Sequence, residues 1–197
     1  MVEETLVFID EGFLSKLSKH FGNGNYIKID YIQFSKNLVK KQNLFLKHLF
    51  YYTSPPFQDA IPAKEQIIRK EGYDKFISVF SKNKEVTIRQ GRCQKIINKE
   101  GNITFKQKGV DALMVSDMVS VPIKFPGIQR IILITSDTDF CPIIGDIERL
   151  GVKVILYTYY ERKRNSKFSV SHHLIDCCEN TYYLTKKDFE ESKKKLK

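Results

Sequence analysis

Three stretches of this chain are apolar on both faces and short for helices: TLVFID (5–10), RIILITSD (130–137) and VKVILYTYY (152–160). A strand with one wet face alternates apolar and polar residues. Nearly unbroken β-branched and aromatic runs instead mark parallel strands covered on both sides. A fourth run, KHLFYYTS (47–54), is weaker and is stopped by Pro55 and Pro56, which donate no ladder hydrogen bonds. Helical patterns lie between the runs. DYIQFSKNLVKKQN (30–43) puts Ile32, Phe34, Leu38 and Val39 on one stripe behind a capping Asp30. In 62–83, Pro62 suits a first turn, and DFCPIIGDIERLG (139–151) ends on a glycine suited to terminate a helix. Residues 85–108 read as a strand plus a hairpin-like excursion. Strand–helix alternation of this kind predicts a single α/β domain around a mostly parallel sheet. Such sheets gather ligands at the carboxyl ends of their strands, where the strand order reverses.

The acidic residues fall at that edge. Asp10 closes the first run, Asp137 closes the second, and Asp139 follows at the mouth of a helix. Asp111 lies just after Gly109, near the start of a helix whose apolar residues are Val110, Leu113, Met114, Met118 and Val121. Each aspartate alone is most simply a turn or cap residue. Together they form a sparser pattern. Converging anions repel, so the cluster calls for a compensating cation, and Mg²⁺ and Mn²⁺ prefer oxygen ligands. Asp117 lies six residues beyond Asp111, about 120° round the helix, and cannot share its direction.

These residues also carry a resemblance. FID (8–10), KGVD (108–111) with Asp117 beyond it, and SDTDF (136–140) followed by LGVKV (150–154) resemble the NYN domain of the LabA-like group, itself similar to PIN-domain nucleases. TSDTDF (135–140) is similar to the T-x-D-x-D-F signature of PIN domains, and SHHLIDCCENTYYL (171–184) resembles their closing helix and strand. The resemblance implies a three-layer α/β/α PIN-like fold over 1–185, with 186–197 as a charged C-terminal helix or tail. It also implies a ribonuclease site in which Asp10, Asp111, Asp137 and Asp139 are catalytic and hold Mg²⁺ or Mn²⁺, supported by Asp117, Ser136 and Thr138. Two departures stand out. Many relatives carry Asn three residues after the first aspartate, where this chain has Phe13. The glutamate that PIN nucleases often contribute from an earlier helix has no clear counterpart, with Glu65 and Asp59 as the candidates.

A formal net charge of +10 suggests an anionic partner, with RNA ahead of a membrane surface. The segment ERKRNSK (161–167) should leave the sheet at the acidic edge, where Arg162, Lys163, Arg164 and Lys167 can flank a phosphate backbone and Tyr159 or Tyr160 can stack on a base. Arg89, Arg92, Lys95, Lys106 and Lys108 form a second basic group. No apolar run approaches the ~20 residues of a membrane span, and MVEE runs into TLVFID without the features of a signal peptide. The four cysteines have no zinc spacing. A reduced cytoplasm is therefore expected, and a homodimer is anticipated because symmetric dimers are common. Three functions stand open: a metal-dependent ribonuclease, a non-catalytic RNA-binding or scaffold module favoured by Phe13, and another phosphoryl-transfer enzyme such as a small-molecule phosphatase, which leaves the basic loops idle.

Overall fold

The computed structural model describes residues 2–163, 166 and 168–194. Strand β1 (Glu3–Asp10) leads directly into α1 (Glu11–Phe21), and α2 (Tyr31–Lys41) precedes β2 (Leu44–Thr53). Next come α3 (Lys64–Phe80), β3 (Val86–Gln90) and the strands β4 (Arg92–Ile97) and β5 (Ile103–Lys108). The second half runs α4 (Val110–Lys124), β6 (Arg130–Ile134), a 3-10 turn (Thr138–Phe140) and α5 (Cys141–Arg149). It closes with β7 (Lys153–Thr158), α6 (His172–Asp176), β8 (Asn180–Tyr183) and α7 (Lys186–Glu190).

Six strands form one sheet in the order β3-β2-β1-β6-β7-β8, all parallel. The chain builds outward from β1 to β3 on one side, then returns to β1 and builds outward from β6 to β8 on the other. The order therefore reverses between β1 and β6, and a crevice opens beyond their carboxyl ends. Alternate residues of β1 feed two cores. Val7 and Ile9 pack with Leu14, Leu17, Phe34 and Leu38 of α1 and α2, while Leu6 and Phe8 pack with Met114, Met118, Ile144 and Ile147 of α4 and α5. The result is the three-layer α/β/α arrangement. Among the described residues, no helix is long and apolar enough to cross a membrane.

Local chemistry explains several boundaries. Asp30 caps α2 by accepting from the Ile32 and Gln33 amides at 3.0 and 3.1 Å. Pro62 precedes α3 by two residues instead of occupying its first turn, and Ala63 is the capping residue. Strands β4 and β5 pair antiparallel as a separate ribbon beside the sheet. Gly91, at its base, has no room for a side chain: a Cβ there would meet the Lys108 carbonyl oxygen at 2.5 Å.

The second apolar run departs from expectation. The regular strand ends at Ile134, not at Asp137: Thr135 still bonds its amide to the Tyr157 carbonyl at 3.3 Å while its hydroxyl turns to the Asp10 carboxylate, and the chain leaves the ladder after it. Of the charged segment after residue 185, Lys186–Glu190 is helical and also anchored. Phe189 is fully buried, and Asp188 is buried against Lys41 and Thr185.

Candidate active site

A cavity of about 510 Å³ occupies the crevice between β1 and β6. Asp10, Asp111 and Asp137 line it together with Lys16, Gln107, Ser136 and Thr138. Phe168, Ser169 and Ser171, from the segment that follows β7, close another side.

Asp10 is the pivot. One carboxylate oxygen accepts from the Phe13 amide at 3.2 Å, which caps α1, and the other accepts from the Thr135 hydroxyl at 3.2 Å. The same Thr135 oxygen accepts the Asp137 amide at 3.2 Å. One buried hydroxyl thereby ties the end of β1 to the loop beyond β6. Asp137 in turn accepts from the Asp139 amide at 2.9 Å and caps the 3-10 turn. Asp139, expected among the metal-holding carboxylates, stands inside that turn, exposed and outside the cavity lining. Its carboxylate still raises the proton affinity of Asp111. Asp111 sits in the first turn of α4 and leaves the capping position to Gly109.

The acids feel one another. Burial pushes the Asp10 carboxyl above its ordinary range, opposed by the Phe13 amide and the Thr135 hydroxyl, and Asp111 pushes it further. Burial also raises Asp111, with Asp137 and then Asp139 adding like charge. Among the described residues, however, no three Asp, Glu, His or Cys side chains stand close enough to hold a metal ion as they are. The donors fit Mg²⁺ or Mn²⁺ in kind, being carboxylate oxygens in mutual repulsion, but they do not form a closed ligand set.

Several residues at the cavity carried no sequence signal of their own. Lys16 lowers the proton affinity of Asp10 from the exposed side of α1. Gln107 reaches over Gly12, where a Cβ would meet its Oε1 at 3.0 Å, so glycine at 12 admits the carboxamide. Phe13 gives its amide to Asp10 while its ring lies in the core. Neither Glu65 nor Asp59 lines the cavity, and Asp59 is bound to Lys95 at 2.9 Å.

Other expected residues have different partners. Asp117 lies on the buried face of α4 and accepts Arg89 Nε and Nη2 at 2.9 Å each, plus the Tyr52 hydroxyl at 3.0 Å. This network pins α4 to β2 and β3, and it occupies the Arg89 fork that was expected to meet nucleic acid. Tyr159 is likewise spent, wedged against Phe21 and Phe168 at ring distances of 5.1 and 5.4 Å. Arg162 and Lys163 are exposed on the segment bordering the cavity, and Arg92 and Lys108 pair at the base of the ribbon. Arg164 and Lys167 lie outside the described residues.

Residues 4–185 match the NYN domain, and the chain belongs to that family of PIN-like nucleases. The match is to the NYN domain as a whole, not to the LabA-like group within it. No curated protein matches the chain. Among solved structures, a protein of unknown function from Vibrio parahaemolyticus shares the fold, with 18% identity, a TM-score of 0.54 and 93% of each chain covered.

Proposed function

We propose that the protein is a divalent-metal-dependent ribonuclease. The observation that carries this reading is the meeting of Asp10, Asp111 and Asp137 in one cavity at the point where the sheet reverses its strand order. Asp10, Asp111 and Asp137 would hold Mg²⁺ or Mn²⁺, with Asp139 contributing charge from the rim. When bound, such an ion neutralises the carboxylates and supplies Lewis acidity toward a phosphodiester.

The chain's own residues do the rest. Thr135 fixes the relative position of Asp10 and Asp137 through its two hydrogen bonds. Lys16 brings positive charge to the cavity, and Arg162, Lys163, Arg92 and Lys108 flank the approach of a phosphate backbone. RNA is the expected polymer and the cytoplasm the expected location.

A second reading, a nucleic-acid-binding module without turnover, is favoured by the open ligand set and by Phe13. One experiment separates the two: incubation of labelled single-stranded RNA with Mn²⁺, Mg²⁺ or EDTA, beside the Asp137→Asn protein. Products that require the metal and vanish in the variant are expected. Full cutting by Asp137→Asn would overturn the nuclease site, and RNA retained without products would support the binding module.

A further inference from the structure

Helix α1 is a wall between two cavities. Gly12 and Lys16 face the acid site, while Glu11, Ser15 and Ser18 line a second cavity of about 650 Å³ toward α3. Tyr31, Tyr51, Tyr73 and Arg69 also line it. Tyr51 is buried edge to face under Tyr31 at 4.7 Å, while Tyr31 and Tyr73 are only partly buried and keep aromatic surface accessible along the wall.

Ser18 is bonded to the Ile27 backbone and Tyr73 to Gln90, which leaves Glu11 and Arg69 among the charged groups lining this cavity. The Glu11 carboxylate has the Ser15 hydroxyl beside it and receives the Thr53 hydroxyl at 3.5 Å, the outer limit of a hydrogen bond, so it retains acceptor capacity. Among the described residues, Arg69 makes no ion pair. A carboxylate accepts and never donates, so its best planar match is a ring with two adjacent N–H donors. Guanine presents that pair at N1 and the 2-amino group. Adenine and cytosine place a lone-pair nitrogen beside their amino group, and uracil offers a single N–H between carbonyls. Unpaired bases in RNA are held by aromatic faces and read along this edge, and Arg69 supplies a cation for phosphate.

We propose that this second cavity binds a guanine base of the RNA strand, with Glu11 accepting its N1–H and 2-amino group. The proposal rests on the RNA reading above. Asp10 and Glu11 are consecutive, so the base site and the phosphodiester site share one turn of chain and suit neighbouring nucleotides of one strand.

The test needs neither metal nor cutting. Binding of the 5′-monophosphates of guanosine, adenosine, cytidine, uridine and inosine is measured by calorimetry in EDTA. Guanosine monophosphate should bind at least ~10-fold more tightly than the adenosine, cytidine and uridine forms, as expected for a paired hydrogen-bond site. The inosine form lacks the 2-amino group and should fall between. Glu11→Gln, checked by thermal melting, should lose the preference. Equal binding of all five, or a preference that survives in folded Glu11→Gln, would overturn the proposal. Should that variant not fold, the inosine comparison on the unaltered protein decides. A protein that prefers guanine but cuts nothing would keep this site and overturn the nuclease. One that cuts RNA without base preference would do the reverse.

Discussion

Replacing Arg89 by alanine should destabilise the protein more than replacing its partner Asp117 by asparagine. The reason lies in their unequal burial. The Asp117 side chain is 5% exposed and Arg89 41%, so only the aspartate is trapped when the pair is broken. Arg89→Ala leaves a buried carboxylate with the Tyr52 hydroxyl and a Lys124 ammonium 4.0 Å away. Stranding one partner of a fully buried pair costs about 3–5 kcal/mol. The two remaining contacts put the cost near the lower figure, about 3 kcal/mol. Asp117→Asn keeps one acceptor for Tyr52 and Arg89 and removes the buried charge, so a loss of about 1–2 kcal/mol is expected. At about 2–4 °C per kcal/mol for a domain of this size, Arg89→Ala should melt about 6–12 °C lower. Urea unfolding followed by circular dichroism, with the double variant closing the cycle, measures both costs and their coupling. If Arg89→Ala costs under about 1 kcal/mol and instead weakens RNA binding, the buried network is not what Arg89 is for. That outcome would refute the assignment.

Two other perturbations test different parts of the molecule. Thr135→Val keeps the side-chain shape but removes the hydroxyl shared by Asp10 and Asp137. It should slow metal-stimulated cutting at least ~10-fold in single-turnover assays, through misplaced carboxylates, while the domain still melts cooperatively. Asp188 tests the C-terminal anchor through pH. Burial pushes its carboxyl up, but Lys41 and Thr185 outweigh burial and hold it below its ordinary value. The anchor therefore stabilises fully above the ordinary carboxylate pKa of about 3.9 and is lost as pH falls through the lower folded value. Lys41→Met should cost about 1–2 kcal/mol at pH 7, since Lys41 is half exposed, and the difference from the parent should shrink below about pH 4. A difference that grows in acid would reverse the assigned sign.

How much of this could be read from the chain depends on the range of the interaction involved. The buried strands were legible because a strand covered on both faces must be apolar at every position, as Ile131 to Ile134 are. The end of β6 was not, because Thr135 is buried and β-branched like a strand residue and still bonds to β7, and only its hydroxyl bond to Asp10, 125 positions away, marks where the strand gives way to the site. Asp10, Asp111 and Asp137 were legible through their places at strand ends and a helix start. Lys16, Gln107 and Glu11 were not, since nothing local separates a surface lysine or glutamine from one that lines a cavity. Arg89 read as free positive charge because its partner lies 28 residues away on another element. Helix α1 did carry a pattern, in Phe13, Leu14 and Leu17, but its polar residues and Gly12 concealed it.

The position of β1 at the centre of the sheet has a consequence for synthesis. Within this sequence β2 and β3 follow β1 and can build on one side of it before residue 100 leaves the ribosome. The strand that must lie on its other side, and the loop bearing Thr135 and Asp137, come more than 120 residues later. Until then the half-built sheet exposes β1 as an edge, and Asp10 lacks the Thr135 and Asp137 that complete its surroundings. The centre is therefore assembled only when the two halves of the sheet close.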